Sequence, residues 1–124
     1  MIGFKTWRQL QEFRDLHPTL EDVLQDLLHF WPTEIPFVIT DIGRTHEEDD
    51  ALNASGIHSA GPPWRALDFR TRTVADDLIT SIAEDINDRW IYDPSRPGKK
   101  VLFHLPHGTG PHGHLQVHPE TRIA

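Results

Sequence analysis

The chain has 124 residues, of which 37% are hydrophobic and 25% charged, and it carries a net charge of −7 with its histidines neutral. This length and composition predict one globular domain spanning residues 1–124. The negative charge argues against nucleic acid and anionic membranes as partners, since both favour a basic face. The absence of cysteine excludes disulfide bonds and thiolate metal sites, so a metal would have to bind His, Asp or Glu.

The N-terminal residues lack the apolar core of a signal peptide. No stretch approaches the ~20 apolar residues that a membrane-spanning helix needs. We therefore expect the protein to be made in the cytoplasm, with cell lysis or carriage on a particle as its routes out of the cell.

Apolar residues at helical spacing predict three helices. A first stripe recurs every three residues, at Phe4, Trp7, Leu10, Phe13 and Leu16. Thr19 with Asp22 resembles a capping box that opens a second helix, and Pro32 ends that helix. Thr73 with Asp76 predicts the start of a third helix that runs to Trp90.

Four short segments have the composition of strands, at residues 35–40, 66–70, 101–105 and 114–117. A loop rich in glycine and proline joins the last two, which predicts an antiparallel hairpin. The tail from Pro119 shows no clear structure. This order of elements predicts an α+β fold in which a small antiparallel sheet is combined with three helices.

Histidine is the most informative residue type in the chain, with nine in total and five between His104 and His118. Asp68 follows His58 by ten residues and lies in a predicted strand. His112 and His114 are two residues apart at the start of another strand, so both can face one cleft on the sheet. Two imidazoles and a carboxylate would fill three positions of a tetrahedral Zn²⁺ site and leave the fourth for water. The alternative is that these histidines are solvated side chains with no common role.

The same motifs resemble those of the zinc D-alanyl-D-alanine peptidases. The matching segments are Ser55-Gly56-Ile57-His58, Arg65-Ala66-Leu67-Asp68 and His112-Gly113-His114. That group includes vancomycin-resistance D,D-peptidases, phage endolysins, lysostaphin-type enzymes and the hedgehog signalling domain. The resemblance implies that His58, Asp68 and His114 bind zinc and that His112 is catalytic or supports the ligands. It also implies that Arg44 contacts the substrate or stabilises developing charge, because the segment around it is similar to the family's Tyr-Arg-Ser.

The sequence departs from the family pattern at several positions. The separation of His58 and Asp68 is longer than in the carboxypeptidase branch, and Trp64 stands where a glycine is usual. Pro111 stands three residues before His114, where that branch has its glutamate base. The base is therefore His112, as in the lysostaphin-like branch, or a glutamate from elsewhere, or the protein is not catalytic.

Three functions are compatible with these residues. The first is a zinc metallopeptidase that hydrolyses a peptide bond in peptidoglycan, as a D,D- or L,D-carboxypeptidase or endopeptidase of the phage endolysin type would. The second is a non-catalytic zinc module of the same fold that binds a partner or a cell-wall ligand. The third is a structural α+β protein with a fortuitous histidine cluster. Metal content separates the third function from the others, and hydrolysis of peptidoglycan separates the first two.

Overall fold

Short strands alternate with three α-helices along the part of the chain that the structure describes. The structure is a computed structural model, and it describes residues 2–43, 47, 56–59, 61–96, 103–104 and 112–124. In chain order the elements are β1 (Ile2–Phe4), α1 (Trp7–Phe13), α2 (Pro18–Phe30), β2 (Phe37–Asp41), a 3₁₀ turn (Ile57–Ser59), β3 (Ala66–Arg70), α3 (Asp76–Arg89), β4 (Trp90–Ile91), β5 (Phe103–His104), β6 (His112–Gln116) and β7 (Arg122–Ile123). The predicted α+β class is confirmed.

The main sheet has five strands in the order β1-β2-β3-β6-β5. β1 runs parallel to β2, and the other neighbouring pairs are antiparallel. The predicted pairing of the two late strands is confirmed, because Phe103 lies opposite Leu115 and His104 opposite His114. The residues that connect them, 105–111, lie outside the described residues. β3 occupies the centre of the sheet, so its backbone is held from both sides by β2 and β6.

The hydrophobic core lies between the sheet and the helices α2 and α3. Both helices bury apolar residues at i, i+3, i+4 and i+7 spacing, which is the pattern of a helix with one covered face. These residues are Leu20, Val23, Leu24 and Leu27 in α2, and Ile79, Ile82, Ala83 and Ile86 in α3. They belong to one cluster with Leu67 and Phe69 of β3 and Leu115 of β6. Because successive strand residues point to opposite faces, Asp68 and His114 lie on the other face of the sheet.

The N-terminal segment differs from the prediction. Residues 2–4 form a strand because their backbone pairs with β2, with Ile2 opposite Phe37 and Phe4 opposite Ile39. The prediction that Phe4 and Trp7 lie on the buried face of a first helix is therefore wrong. Phe4 lies in β1, and Trp7 is 78% exposed. The helix begins only after Thr6, whose backbone N–H donates to Gln9 Oε1 at 2.7 Å.

The predicted caps of the second and third helices are also wrong. α2 begins at Pro18, and the N-cap is His17, whose Nδ1 accepts the Thr19 N–H at 3.2 Å. Proline suits this position because its missing N–H would have no partner in the first turn. α3 has Ala75 as its N-cap and no side-chain cap bond, so Thr73 with Asp76 does not form a capping box.

The C-terminal tail is ordered into a strand, contrary to the prediction. Trp90 pairs with Ile123 and Ile91 pairs with Arg122, so β4 and β7 form a two-stranded ribbon at the end of α3. The Ala124 N–H also donates to the Arg89 carbonyl oxygen at 2.9 Å. A strand of two residues carries too little periodicity to be read from the sequence, because its stability comes from the partner strand. Within the described ranges, no helix combines the length and apolar composition needed to cross a membrane.

We expect Gly113→Ala to lower the free energy of unfolding by about 1–3 kcal/mol. The added Cβ would collide with Cζ of the Phe69 ring, so the core ring would have to move. Gly3→Ala is the matched control, because its Cβ would meet Val38 Cγ2 at an ordinary 3.5 Å. Urea unfolding of both variants measures the difference. An unfolding midpoint of Gly113→Ala equal to that of the wild type would contradict the packing of Phe69 on β6.

Candidate metal centre

Asp68 is a buried carboxylate at the centre of the sheet. In β3 it lies directly opposite His114 of β6 and opposite Asp41 of β2. Directly opposed residues of an antiparallel pair project from the same face, so strand register alone brings the carboxylate and the His114 imidazole together. A buried carboxylate needs charged or hydrogen-bonding partners to offset its lost hydration.

His58 comes from the 3₁₀ turn rather than from the sheet. Gly56 precedes this turn with φ of 89°, a backbone conformation that favours glycine. The His58 Nδ1 donates to the carbonyl oxygen of Ile42 at 2.5 Å, and Nε2 lies 3.4 Å from Asp68 Oδ1. Because a carbonyl oxygen can only accept, the proton of a neutral His58 ring sits on Nδ1. The lone pair of Nε2 then points toward Asp68.

His114 is held in the complementary way. Its Nδ1 lies 2.7 Å from Asp68 Oδ1, and its Nε2 lies 2.7 Å from Gln116 Oε1. Gln116 donates its amide N–H to the Tyr92 hydroxyl at 2.8 Å, which leaves the amide oxygen to accept from His114. The rings of His58 and His114 meet edge to face, with centroids 5.2 Å apart.

Both histidines therefore have acceptors at both ring nitrogens. A neutral imidazole has one N–H, so it can donate to only one of its two acceptors. The lone pair on the other ring nitrogen would then face an acceptor oxygen and be repelled by it, and in His58 that oxygen belongs to Asp68. That repulsion is removed either by a second proton on the ring or by a cation between the ring nitrogen and the carboxylate. The donor set on its own thus provides a place for a positive charge.

The spacing of the three residues fits a metal ion. One ligand atom from each of His58, Asp68 and His114 lies within 4.8 Å of the other two. Tetrahedral ligands about 2.0–2.2 Å from zinc are roughly 3.3–3.6 Å from one another. The 3.4 Å between His58 Nε2 and Asp68 matches this range, and the 2.7 Å between His114 Nδ1 and Asp68 would open by less than about 1 Å.

Electrostatics couple the three side chains. Burial on its own would raise the pKa of Asp68, but its hydrogen bonds with His114 and His58 and the charges of the two rings lower that pKa far below its usual range. Burial on its own would lower the pKa of His58. The hydrogen bond and charge of Asp68, the Ile42 carbonyl and the charge of Asp41 together raise it instead. The metal-free site therefore favours an ionised carboxylate and a protonated His58.

Of the two predicted catalytic residues, His112 and Arg44, the structure describes only His112. His112 is partly exposed at the start of β6, opposite Arg70, and it lies on the same face of the strand as His114. Arg44 and Pro111 lie outside the described residues. Of the groups that hold the histidines, Gln116 lies two residues from His114, so strand periodicity places both on one face of β6. The Ile42 carbonyl was missed because a backbone group leaves no side-chain signal, and Tyr92 was missed because it lies 24 residues from Gln116.

Comparison of the chain with protein-family models, with curated proteins and with solved structures finds no match. The resemblance to zinc D-alanyl-D-alanine peptidases therefore depends on the motifs that contain His58, Asp68, His112 and His114. The structure brings three of these residues into one buried group.

We expect metal-free protein to lose stability as the pH rises above about 6.5, the ordinary histidine pKa. The raised pKa of His58 contributes stability below that pH, and this contribution is lost as the pH rises through the folded-state value. The lowered pKa of Asp68 contributes stability above about pH 4, which is lost only on strong acidification. Urea unfolding of chelator-treated protein at pH 5.5 and pH 8 measures the change.

The control for this pH dependence is a pair of variants. His58→Gln removes the titrating ring and should reduce the loss of stability between pH 5.5 and pH 8. His29→Gln makes the same change at an exposed position of α2 and should leave the loss as in the wild type. An equal pH dependence in His58→Gln and the wild type would contradict the coupling of His58 to Asp68.

Proposed function

We propose that this protein binds one zinc ion through His58 Nε2, an Asp68 carboxylate oxygen and His114 Nδ1. The observation that carries the proposal is the pair of outer hydrogen bonds, from His58 to the Ile42 carbonyl and from His114 to Gln116. Metal-bound histidines characteristically donate their other ring N–H to such acceptors, which fixes the tautomer and the ring orientation. Both rings already have this arrangement on the sides that face away from Asp68.

The donor types favour zinc among the common metals. Two imidazole nitrogens and one carboxylate oxygen suit zinc, whereas calcium and magnesium prefer sites made of oxygen ligands. Three protein ligands leave one coordination position for water or substrate, which is the arrangement of catalytic rather than structural zinc sites.

We propose further that the zinc site serves a metallopeptidase that hydrolyses a peptide bond in peptidoglycan. The support is the site's open coordination position together with the resemblance to the zinc D-alanyl-D-alanine peptidases. Zinc in such a site lowers the pKa of a bound water to about 7 and polarises the scissile carbonyl. Synthesis in the cytoplasm and release at lysis, or carriage on a phage particle, would bring the protein to its substrate.

The chain's own residues would hold the ligands and move protons. Asp68 fixes the two rings relative to each other, and Ile42 and Gln116 keep the ring protons away from the metal side. His112 lies one strand repeat from His114, about 6.6 Å along β6, on the same face and with partial exposure to solvent. It is the residue we assign to proton transfer, and Arg44 is assigned to stabilising the developing carbonyl charge by the resemblance.

We expect the wild type to carry one zinc per chain, and His114→Ala and Asp68→Ala to lose it. His112→Ala should keep the metal because its ring is not among the three grouped donors. His29→Ala is a control for loss of a histidine at an exposed position. Zinc analysis after dialysis measures the content of each variant. Wild-type protein that takes up no zinc on titration would contradict the site, as would complete loss of zinc in His112→Ala.

We also expect zinc content to fall as the pH drops below about 6, because the ligand histidines must be neutral to bind. Dialysis at a series of pH values followed by zinc analysis measures this. Full retention of zinc at pH 4 would show that histidines are not the ligands.

We expect zinc-loaded wild type to release new amino groups from purified peptidoglycan. His112→Ala should retain zinc and lose at least ~100-fold in rate, the usual contribution of proton transfer. Walls with several stem and cross-bridge peptides should be compared, with His29→Ala as the control. Full activity in His112→Ala would assign proton transfer to another residue. No release from any wall by zinc-loaded wild type would contradict the peptidase and favour a zinc module that binds its partner without cleavage.

A further inference from the structure

A line of hydrogen bonds, part-buried at Gln116 and buried at Thr121, leads from His114 to the C-terminal ribbon. His114 Nε2 lies 2.7 Å from Gln116 Oε1, and Gln116 donates to the Tyr92 hydroxyl at 2.8 Å. The backbone of Tyr92 is held in turn by Thr121, whose hydroxyl donates to the Tyr92 carbonyl oxygen at 2.6 Å. Tyr92 is 6% exposed and Thr121 is 7% exposed, whereas Gln116 is partly exposed.

The orientation of the Gln116 amide affects whether the His114 Nδ1 that faces Asp68 carries a lone pair or a proton. With the amide oxygen toward His114, the ring proton sits on Nε2 and the Nδ1 lone pair points toward Asp68. With the amide turned over, its N–H would donate to Nε2 and the ring proton would move to Nδ1. That proton would then occupy the place of the metal. In the first orientation the Tyr92 hydroxyl accepts the amide N–H at 2.8 Å, and this bond holds the Gln116 side chain beside His114.

We infer that Gln116 and Tyr92 are positioning residues that hold His114 in the tautomer able to bind a metal. The inference rests on the proposed zinc site and is independent of whether the protein is a peptidase. It also gives the β4–β7 ribbon a role, because Tyr92 directly follows β4 and Thr121 directly precedes β7. The C-terminal residues then support the metal centre although none of them contacts it.

Zinc affinity measured by competition with a chromophoric chelator tests the inference. Gln116→Leu should weaken zinc binding about 10–100-fold, the usual effect of removing the acceptor behind a ligand histidine. Gln116→Glu should bind more tightly than Gln116→Leu, because its carboxylate still accepts the His114 N–H and the Tyr92 hydroxyl can donate to it. Tyr92→Phe should weaken binding by less than Gln116→Leu. Gln11→Leu makes the same chemical change at an exposed position of α1 and should bind as the wild type does.

A second measurement separates tautomer control from a general loss of structure. At saturating zinc, ¹H–¹⁵N spectra of the histidine rings should show the Nε2–H of His114 in the wild type and in Gln116→Glu. In Gln116→Leu this proton should exchange with water too fast to be observed, while the backbone spectrum stays folded. Equal zinc affinity of wild type and Gln116→Leu would overturn the inference and leave the zinc site intact. Wild-type affinity in Tyr92→Phe would overturn the part assigned to Tyr92. A wild type that binds no zinc would overturn the site itself.

Discussion

The burial of the Asp68 carboxylate is the constraint around which the centre is arranged. A buried carboxylate is costly unless positive charge and hydrogen bonds surround it. Here two imidazoles converge on it, one from the strand opposite and one from the 3₁₀ turn. The proposed zinc would take the place of the second proton on His58, on the side of the ring that faces Asp68, so its binding would depend on pH.

The alternation of side chains along β6 connects the centre to the core. Gly113 and Leu115 face the core, where Phe69 occupies the space that a larger residue at position 113 would need. His114 and Gln116 project from the opposite face, so one strand supplies both a proposed zinc ligand and the side chain that contacts its outer ring nitrogen. Because β6 is paired with β3 on one side and β5 on the other, its backbone fixes the positions of His114 and Gln116 relative to each other. The arrangement proposed to bind the metal therefore depends on the same packing that stabilises the fold.

The parts of the fold with strong periodicity could be predicted from the sequence. The strand at residues 66–70 and the spacing of His112 and His114 indicated a site on one sheet face, and the structure places Asp68 against His114. His58 lies in a turn with no periodicity, so its prediction depended on its place ten residues before Asp68 and on the family resemblance. The ribbon that carries Tyr92 could not be predicted, because two-residue strands are stable only through a partner distant in sequence. The helix caps were missed because His17 and Ala75 occupy positions where other residues are more common.

Diffraction at the zinc absorption edge tests most directly whether zinc lies between these three side chains, as we propose. Crystals grown with one equivalent of zinc should give a single anomalous peak. That peak should lie about 2.0–2.2 Å from His58 Nε2, an Asp68 oxygen and His114 Nδ1. The Ile42 carbonyl and Gln116 should still accept the outer ring protons. A zinc peak held by other residues, or no peak between these three side chains, would contradict the account.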